Sequence, residues 1–441
     1  MNIALINPRL RAWNPNVIMP LGLLYIGTVL LNKGHEVDII DMNAENISTQ
    51  AMLTRIKDSD IVGLTGMITE YKQIVALSQT IKSTYDIKPV IIGGPLATSF
   101  PEELIKYAKA DYIVMGEGER AILEAITLPS NRIIQHTQIS DLDTIPIPNR
   151  SLIKHNLYVE NQFHSSKESN VRTTPIITSR GCPYSCTFCY KGMWGKKWRA
   201  RSPQNIIREM SNLYNQYGIN GFIIQDDTFI LDKHRVLDLC NRIKDLKFKP
   251  KWLCNGRVNL VTPRLCHEMA EAGCVEIAFG IESGNQTILD SINKDTDLGT
   301  IENAVRWSKA AGLRVNGYFI IGLPGETKDT IRQTIAFAKE LDLDLYGFSL
   351  YTPLPGTECY TGNTAIEDWN FKANVNLTKD CTDEDLINFK YEVMRKFTIG
   401  SLGKIYLTRS ILKIILGIRG PKEFLSVANK VKGVIKSFWI K

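Results

Sequence analysis

No apolar run in the 441 residues reaches the ~18 needed to cross a bilayer, so no membrane-spanning helix is expected. No basic leader precedes the first apolar run, Ile3 to Ile6, so no secretory signal is expected. The first 181 residues contain no cysteine. The nine cysteines of the whole chain are too few and too unevenly spaced for a disulfide scaffold. No Gly-x-Gly-x-x-Gly follows the first strand-like run, which argues against a plain dinucleotide site. There is no internal repeat and no low-complexity segment. Acidic residues are nearly missing from one end: Arg395 to Lys441 holds eleven Lys or Arg and one acid, Glu423. That stretch carries +10 of a chain whose total is +7, so the rest is slightly acidic and no nucleic-acid partner is expected. The expected compartment is a reducing cytoplasm.

Short apolar runs alternate with helical periodicity along most of the chain. Strands are expected at Asn2–Asn7, Val37–Asp41, Ile61–Thr65, Pro89–Ile92 and Tyr112–Met115, with helices such as Leu21–Asn32, Tyr71–Ser83 and Pro101–Lys109 between them. This alternation predicts a doubly wound parallel sheet, whose ligands sit at the carboxyl ends of the strands. Residues 129–173 hold Pro146 and Pro148, show little periodicity and read as a linker. Strand signals resume at Pro175–Ser179, Gly221–Gln225, Lys251–Asn255, Val275–Ile281, Val315–Ile321 and Leu345–Tyr351. Six such units in this length fit a partial barrel. The expected architecture is α/β: an N-terminal doubly wound Rossmann-like parallel sheet (1–128), a linker (129–173), a partial (β/α)6 TIM-like barrel (174–382) and a C-terminal helical tail (383–441).

The most informative stretch is Ser179-Arg180-Gly181-Cys182-Pro183-Tyr184-Ser185-Cys186-Thr187-Phe188-Cys189-Tyr190. Three thiols fall within eight residues, in a loop just after an expected strand. A [4Fe–4S] cluster prefers four thiolates, so three protein ligands leave one iron open, and an open coordination position is where substrate chemistry occurs. The competing reading is a structural zinc site completed by Cys254 or Cys274. Zinc sites usually pair Cys-x-x-Cys with a second matched pair, and none is present.

The stretch resembles the Cys-x-x-x-Cys-x-x-Cys signature of the radical S-adenosylmethionine (SAM) enzymes. The resemblance implies a cluster on Cys182, Cys186 and Cys189, with SAM on the open iron and cleaved reductively to a 5′-deoxyadenosyl radical. It implies SAM contacts from Phe188 and Tyr190 and from three strand ends: Gln225, Asp226 and Asp227, where a carboxylate would face the SAM amine; Glu282, suited to a ribose hydroxyl, with Ser283 beside it; and Gly322, near the adenine. It also implies an external electron donor of flavodoxin or ferredoxin type.

The front region resembles the cobalamin-binding domain that precedes many such cores. The segments concerned are Pro20-Leu21-Gly22, Thr65-Gly66, Gly93-Gly94-Pro95 and Gly116-Glu117-Gly118-Glu119. No Asp-x-His-x-x-Gly occurs, and Leu96 stands where the family shows a histidine, so no protein histidine on cobalt is expected.

The leading expectation is a cobalamin-dependent enzyme that methylates an unactivated carbon of a small-molecule or lipid-like substrate. The same cofactors used for cyclisation, rearrangement or oxidation are the alternative. A methylthiotransferase acting on RNA would want three further cluster cysteines in front, and none is there. A non-catalytic iron–sulfur or corrinoid-binding protein would not need the full run of SAM motifs. Arg199 and Arg201 have two readings, an anion site for SAM or substrate and a basic surface loop packed by Trp194 and Trp198. In the tail, Ile405, Leu412, Ile415 and Leu416 suit one helical face, and Val427, Val431, Val434, Ile435 and Phe438 another. A basic amphipathic helix lying on an anionic membrane and a helix packed on the barrel are both open.

Overall fold

The structure, a computed structural model, describes residues 1–9, 17–159, 171–360 and 375–398. The amphipathic tail read at 404–441 lies outside the described residues. No described helix is long and apolar enough to cross a membrane.

The front sheet has six parallel strands: β1 (Asn2–Asn7), β2 (Glu36–Asp41), β3 (Ile61–Thr65), β4 (Val90–Gly93), β5 (Tyr112–Met115) and β6 (Ile133–Gln135), in the order β2-β1-β3-β4-β5-β6. Successive side chains point to opposite faces. Ala4 and Ile6 therefore enter one core, with Ile40, Leu64 and Ile92, while Ile3 and Leu5 enter the other, with Ile39, Ile61 and Ile91. Strand β2 is added on one side of β1 and β3 to β6 on the other, which makes the carboxyl ends of β1 and β3 the topological switch point. β6 lies inside the stretch that the sequence assigned to a linker, and it pairs with β5. Three residues carry too short a pattern to read alone.

Described residues between β6 and Thr173 pack against both halves. Leu142, Ile145 and Tyr158 pack into the front core, and Val159 packs into the second one. Tyr158 donates its hydroxyl to Asp41 at 2.8 Å.

The second sheet contains β7 (Thr173–Ile176). A two-residue antiparallel pair follows, β8 (Ser179–Arg180) with β9 (Arg199–Ala200). Then come β10 (Gly221–Ile224), β11 (Lys251–Gly256), β12 (Cys274–Glu282), β13 (Arg314–Ile321) and β14 (Leu345–Leu350). The order β14-β13-β12-β11-β10-β7 is parallel throughout, as a partial barrel requires. Helices cover one face: Ile206, Leu239, Leu265, Ile301 and Ile331 pack on Phe222, Cys254, Ile277 and Phe319. The helix Pro203–Tyr217 starts on Ser202, whose hydroxyl accepts from Asn205 N, with Pro203 in its first turn, and ends on left-handed Gly218.

Candidate functional site

The cysteines hang on a loop closed at its base by the β8–β9 pair. Gly181 turns the chain at φ +86, and a Cβ there would collide with the Lys197 carbonyl. Backbone bonds hold the loop: Cys182 N donates to Gly195 O, Cys189 N to Cys186 O at 3.2 Å, and Thr187 N to Ile292 O at 3.1 Å. Cys186 is buried, Cys182 half-buried and Cys189 exposed. The Cys186 sulfur accepts from Arg257 Nη1 at 3.3 Å, and that guanidinium lies 3.7 Å from the centre of the Tyr184 ring. The Cys182 sulfur lies 3.6 Å from the Thr228 hydroxyl. Phe188 packs with Ile288, Ile292, Leu323 and Tyr351. Among the described residues no three His, Cys, Asp or Glu side chains converge on a single metal ion. A cubane cluster takes each thiolate at a different iron, so its donors stand further apart than those of one ion. Three thiols in one loop, one of them already receiving a cationic donor, fit that demand. Cys254 and Cys274 lie in the apolar core between sheet and helices, where burial pushes the Cys254 thiol well up. Both serve there as small apolar side chains of the core.

The strand ends above the loop divide by role. Asp226 is buried, and its carboxylate is taken by the protein: Thr178 N donates at 2.6 Å, Thr178 Oγ1 at 2.5 Å and Ser179 Oγ at 2.7 Å. Ser283 is also buried, with its hydroxyl 3.1 Å from that of Thr334. Both side chains are already engaged by the protein's own donors and hydroxyls. Gln225 and Asp227 are exposed, and Asp227 accepts from the Gly181 backbone. Glu282 sits where the β12–β13 register slips, at φ +68, and pairs with Lys294 at 2.8 Å, both nearly buried. Gly322, at φ +89, donates its N–H to Glu326 at 2.7 Å, and Leu323 N does so at 3.0 Å. Burial pushes the Glu326 carboxyl up to about 7, against the pull of those two donors. Sequence reading missed Lys294 and Arg257, because lone basic residues between motifs carry no spacing signal.

The sheet face turned away from the helices continues from this mouth. There Tyr318, half-exposed, stands in register between Gly280 on β12 and Gly347 on β14. A side chain at residue 347 would strike its ring. The carboxylates of this face are paired: Glu276 with Arg314 and Asn316, Glu282 with Lys294.

In the front half, a cavity of about 160 Å³ opens at the carboxyl ends of β3, β4 and β5. Gly22, Thr65, Gly93, Gly94, Gly116 and Gly118 line it, along with Glu117 and Glu119. The glycines form a cradle: a Cβ at Gly118 would fill space against Ile26, and one at Gly94 would strike Thr65. The space takes part of a large ligand, not the whole of one. Pro20, Leu21, Gly66 and Pro95 do not line it: Leu21 is buried in the core, Pro20 caps its helix, and Pro95 sits in the first turn of Gly94–Ser99. Leu96 is fully buried in the apolar core. The Glu117 and Glu119 carboxylates are committed to arginines, Glu119 to Arg180 at 2.5 Å and Glu117 to Arg180 and Arg199. Arg201 and Arg150 share the buried Glu209. Arg199 and Arg201 thus meet the protein's own carboxylates and form neither an anion site nor a surface loop. The cavity's far wall comes from the barrel: Ile177, Arg180, Met193 and Trp194.

The radical SAM superfamily profile matches residues 176–338, and the B12-binding domain profile matches residues 14–126. An uncharacterized methyltransferase of Pyrococcus horikoshii is 33% identical over 84% of this chain and 83% of its own length. The chain belongs to the radical SAM superfamily, in the branch that carries a B12-binding domain. An anaerobic magnesium-protoporphyrin IX monomethyl ester cyclase of Cereibacter sphaeroides is 26% identical over 77% of this chain, but this chain covers only 60% of that protein. The methyltransferase TsrM of Kitasatospora setae, solved with cobalamin and a [4Fe–4S] cluster, shares the fold. Its TM-score is 0.62 at 21% identity, over 80% of this chain and 76% of that one. The cofactors of the family are a [4Fe–4S] cluster, SAM and cobalamin.

Proposed function

We propose that this enzyme uses cobalamin and SAM to methylate an unactivated carbon of an uncharged small-molecule or lipid-like substrate. The observation that carries the reading is the position of the Cys182–Cys189 loop, between the barrel's strand ends and the glycine cradle of the front sheet. When bound, the cluster supplies the electron that opens the SAM sulfonium, and cobalamin carries the methyl group. Cys182, Cys186 and Cys189 hold the cluster, and Arg257 donates to the Cys186 sulfur. Gln225, Asp227, Glu282 and Gly322 stand at the strand ends that face SAM. Gly22, Gly93, Gly94, Gly116 and Gly118 hold part of cobalamin. The substrate lies on the inner face beside the half-exposed Tyr318, whose ring packs over Gly347. With the charges there already paired, a phosphate or carboxylate gains no partner, which favours a neutral ring or chain. A one-electron donor of flavodoxin or ferredoxin type completes the system.

The test is an anaerobic reconstitution with iron, sulfide and hydroxocobalamin, followed by desalting and an absorption spectrum. An iron–sulfur band that Cys182→Ala removes, with retained corrinoid bands, supports both halves. A corrinoid-free spectrum sinks the methyl-transfer reading. The cyclase relative favours a second outcome, radical chemistry without methyl transfer. Turnover separates the two: methylation yields S-adenosylhomocysteine together with 5′-deoxyadenosine, and the second outcome yields no S-adenosylhomocysteine.

A further inference from the structure

The cysteine loop is strapped to the front domain on both sides of its three thiols. On the upstream side, Arg180 stands two residues before Cys182. Its guanidinium, 5% exposed, is held by Glu119 at 2.5 Å and Glu117 at 3.3 Å, both on the Gly116–Glu119 turn. It also lies 5.2 Å from the Tyr25 ring and 5.7 Å from the Trp194 ring. On the downstream side, Tyr190 follows Cys189 directly, and its hydroxyl accepts from Ser99 Oγ at 2.9 Å. Three residues later the Met193 sulfur lies 3.3 Å from Thr98 Oγ1, a hydroxyl that donates to Gly94 O at 2.9 Å and accepts from Gly116 N at 3.0 Å. Arg199 closes the ring, reaching Glu117 at 2.8 Å and the Trp194 carbonyl at 3.3 Å.

Tyr25, Glu117, Glu119, Arg180, Met193 and Trp194 are also walls of the front cavity. A ligand that fills the cavity therefore packs against the residues that fix both ends of the cysteine loop. Charges this deeply buried keep their partners, because an orphaned guanidinium in that setting is costly. The loop then has no independent way to open while the cavity wall is held.

We propose that Arg180 and the Ser99–Tyr190 contact are positioning elements that link corrinoid occupancy of the front cavity to retention of the cluster by Cys182, Cys186 and Cys189. The inference rests on the proposed cofactor sites. At equilibrium the linkage is reciprocal: whatever factor cobalamin contributes to cluster affinity, the cluster contributes to cobalamin affinity.

The test follows iron release from the reconstituted enzyme into a saturating ferrous chelator under anaerobic conditions, with and without hydroxocobalamin. At saturation the loop's opening limits the rate, so simple shielding from the chelator is not what is read. In the wild type, bound hydroxocobalamin slows release about tenfold, within the usual range of site-to-site coupling. In Arg180→Lys, which keeps one charge but cannot span two carboxylates, and in the milder Ser99→Ala, that ratio falls toward one while corrinoid is still retained. Equal release rates in wild-type protein that visibly retains corrinoid overturn the linkage and leave the cofactor sites standing. The wild-type ratio persisting in Ser99→Ala and in any folded Arg180→Lys overturns the assignment to these residues. Failure to retain corrinoid at all overturns the cobalamin site itself, and the linkage with it.

Discussion

Replacing Asp226 by alanine asks whether this carboxylate serves the fold or the co-substrate. The side chain is buried at the end of β10 and accepts from Thr178 N, Thr178 Oγ1 and Ser179 Oγ at 2.5–2.7 Å. Thr178 in turn accepts from Arg235 at both its carbonyl and its hydroxyl. Alanine would strand one N–H and two hydroxyl donors beside a buried guanidinium. Each orphaned donor costs roughly 1–3 kcal/mol, and the hydroxyls can rotate toward other acceptors, so the total is about 3 kcal/mol. At ~2–4 °C per kcal/mol for a domain of this size, the metal-free protein should melt about 6–12 °C lower. Asp226→Asn keeps an acceptor for Thr178 N and should lose about half as much. Because Thr178 and Ser179 lead directly into Arg180 and the cysteine loop, iron uptake should fall in step with melting temperature. The assay is anaerobic thermal unfolding by circular dichroism, with iron content after reconstitution. A metal-free Asp226→Ala protein that melts with the wild type, takes up iron normally and binds SAM weakly would refute the argument.

Four further outcomes are expected. Glu326, raised to about 7 by burial, is neutral in the folded state at a pH where the unfolded chain has already ionised. Its stabilising contribution, at most about 3 kcal/mol, is therefore full below the ordinary glutamate range and lost as pH rises through about 7; Glu326→Gln should flatten that part of the stability–pH curve measured in urea. Gly181→Ala forces a side chain at φ +86 into the Lys197 carbonyl, and iron content after reconstitution should drop sharply while the front domain's melting is unchanged. Glu209→Ala leaves Arg150 and Arg201 without their shared carboxylate, and unfolding free energy should fall by about 3–5 kcal/mol in denaturant titration. Chelation of the reconstituted protein should remove the iron–sulfur band and SAM cleavage together, and re-addition of iron and sulfide should restore both.

The chemistry was legible wherever it depended on local spacing. Three cysteines at intervals of four and three, the strand-end glycines and the β/α alternation all sit within short windows. Together they are enough to point to the family. The short helix at Gly94–Ser99 and β6 were not legible, since elements of six and three residues carry too little periodicity. Side-chain partners at the strand ends were not legible for a different reason. A motif places a carboxylate at a strand end but does not say what it meets there, and Asp226 and Ser283 meet the protein itself.

By itself the sequence determined the cofactor class and the two-sheet architecture and singled out three closely spaced cysteines, because each follows from residue type and near-neighbour spacing. Only the tertiary structure decided which charges are spent on holding the molecule together. Glu117 and Glu119 find Arg180 and Arg199 across some 60 to 80 residues of chain. The pairing is set by how the front sheet docks on the barrel, and burial makes it obligatory, since none of these charges could remain there unpaired.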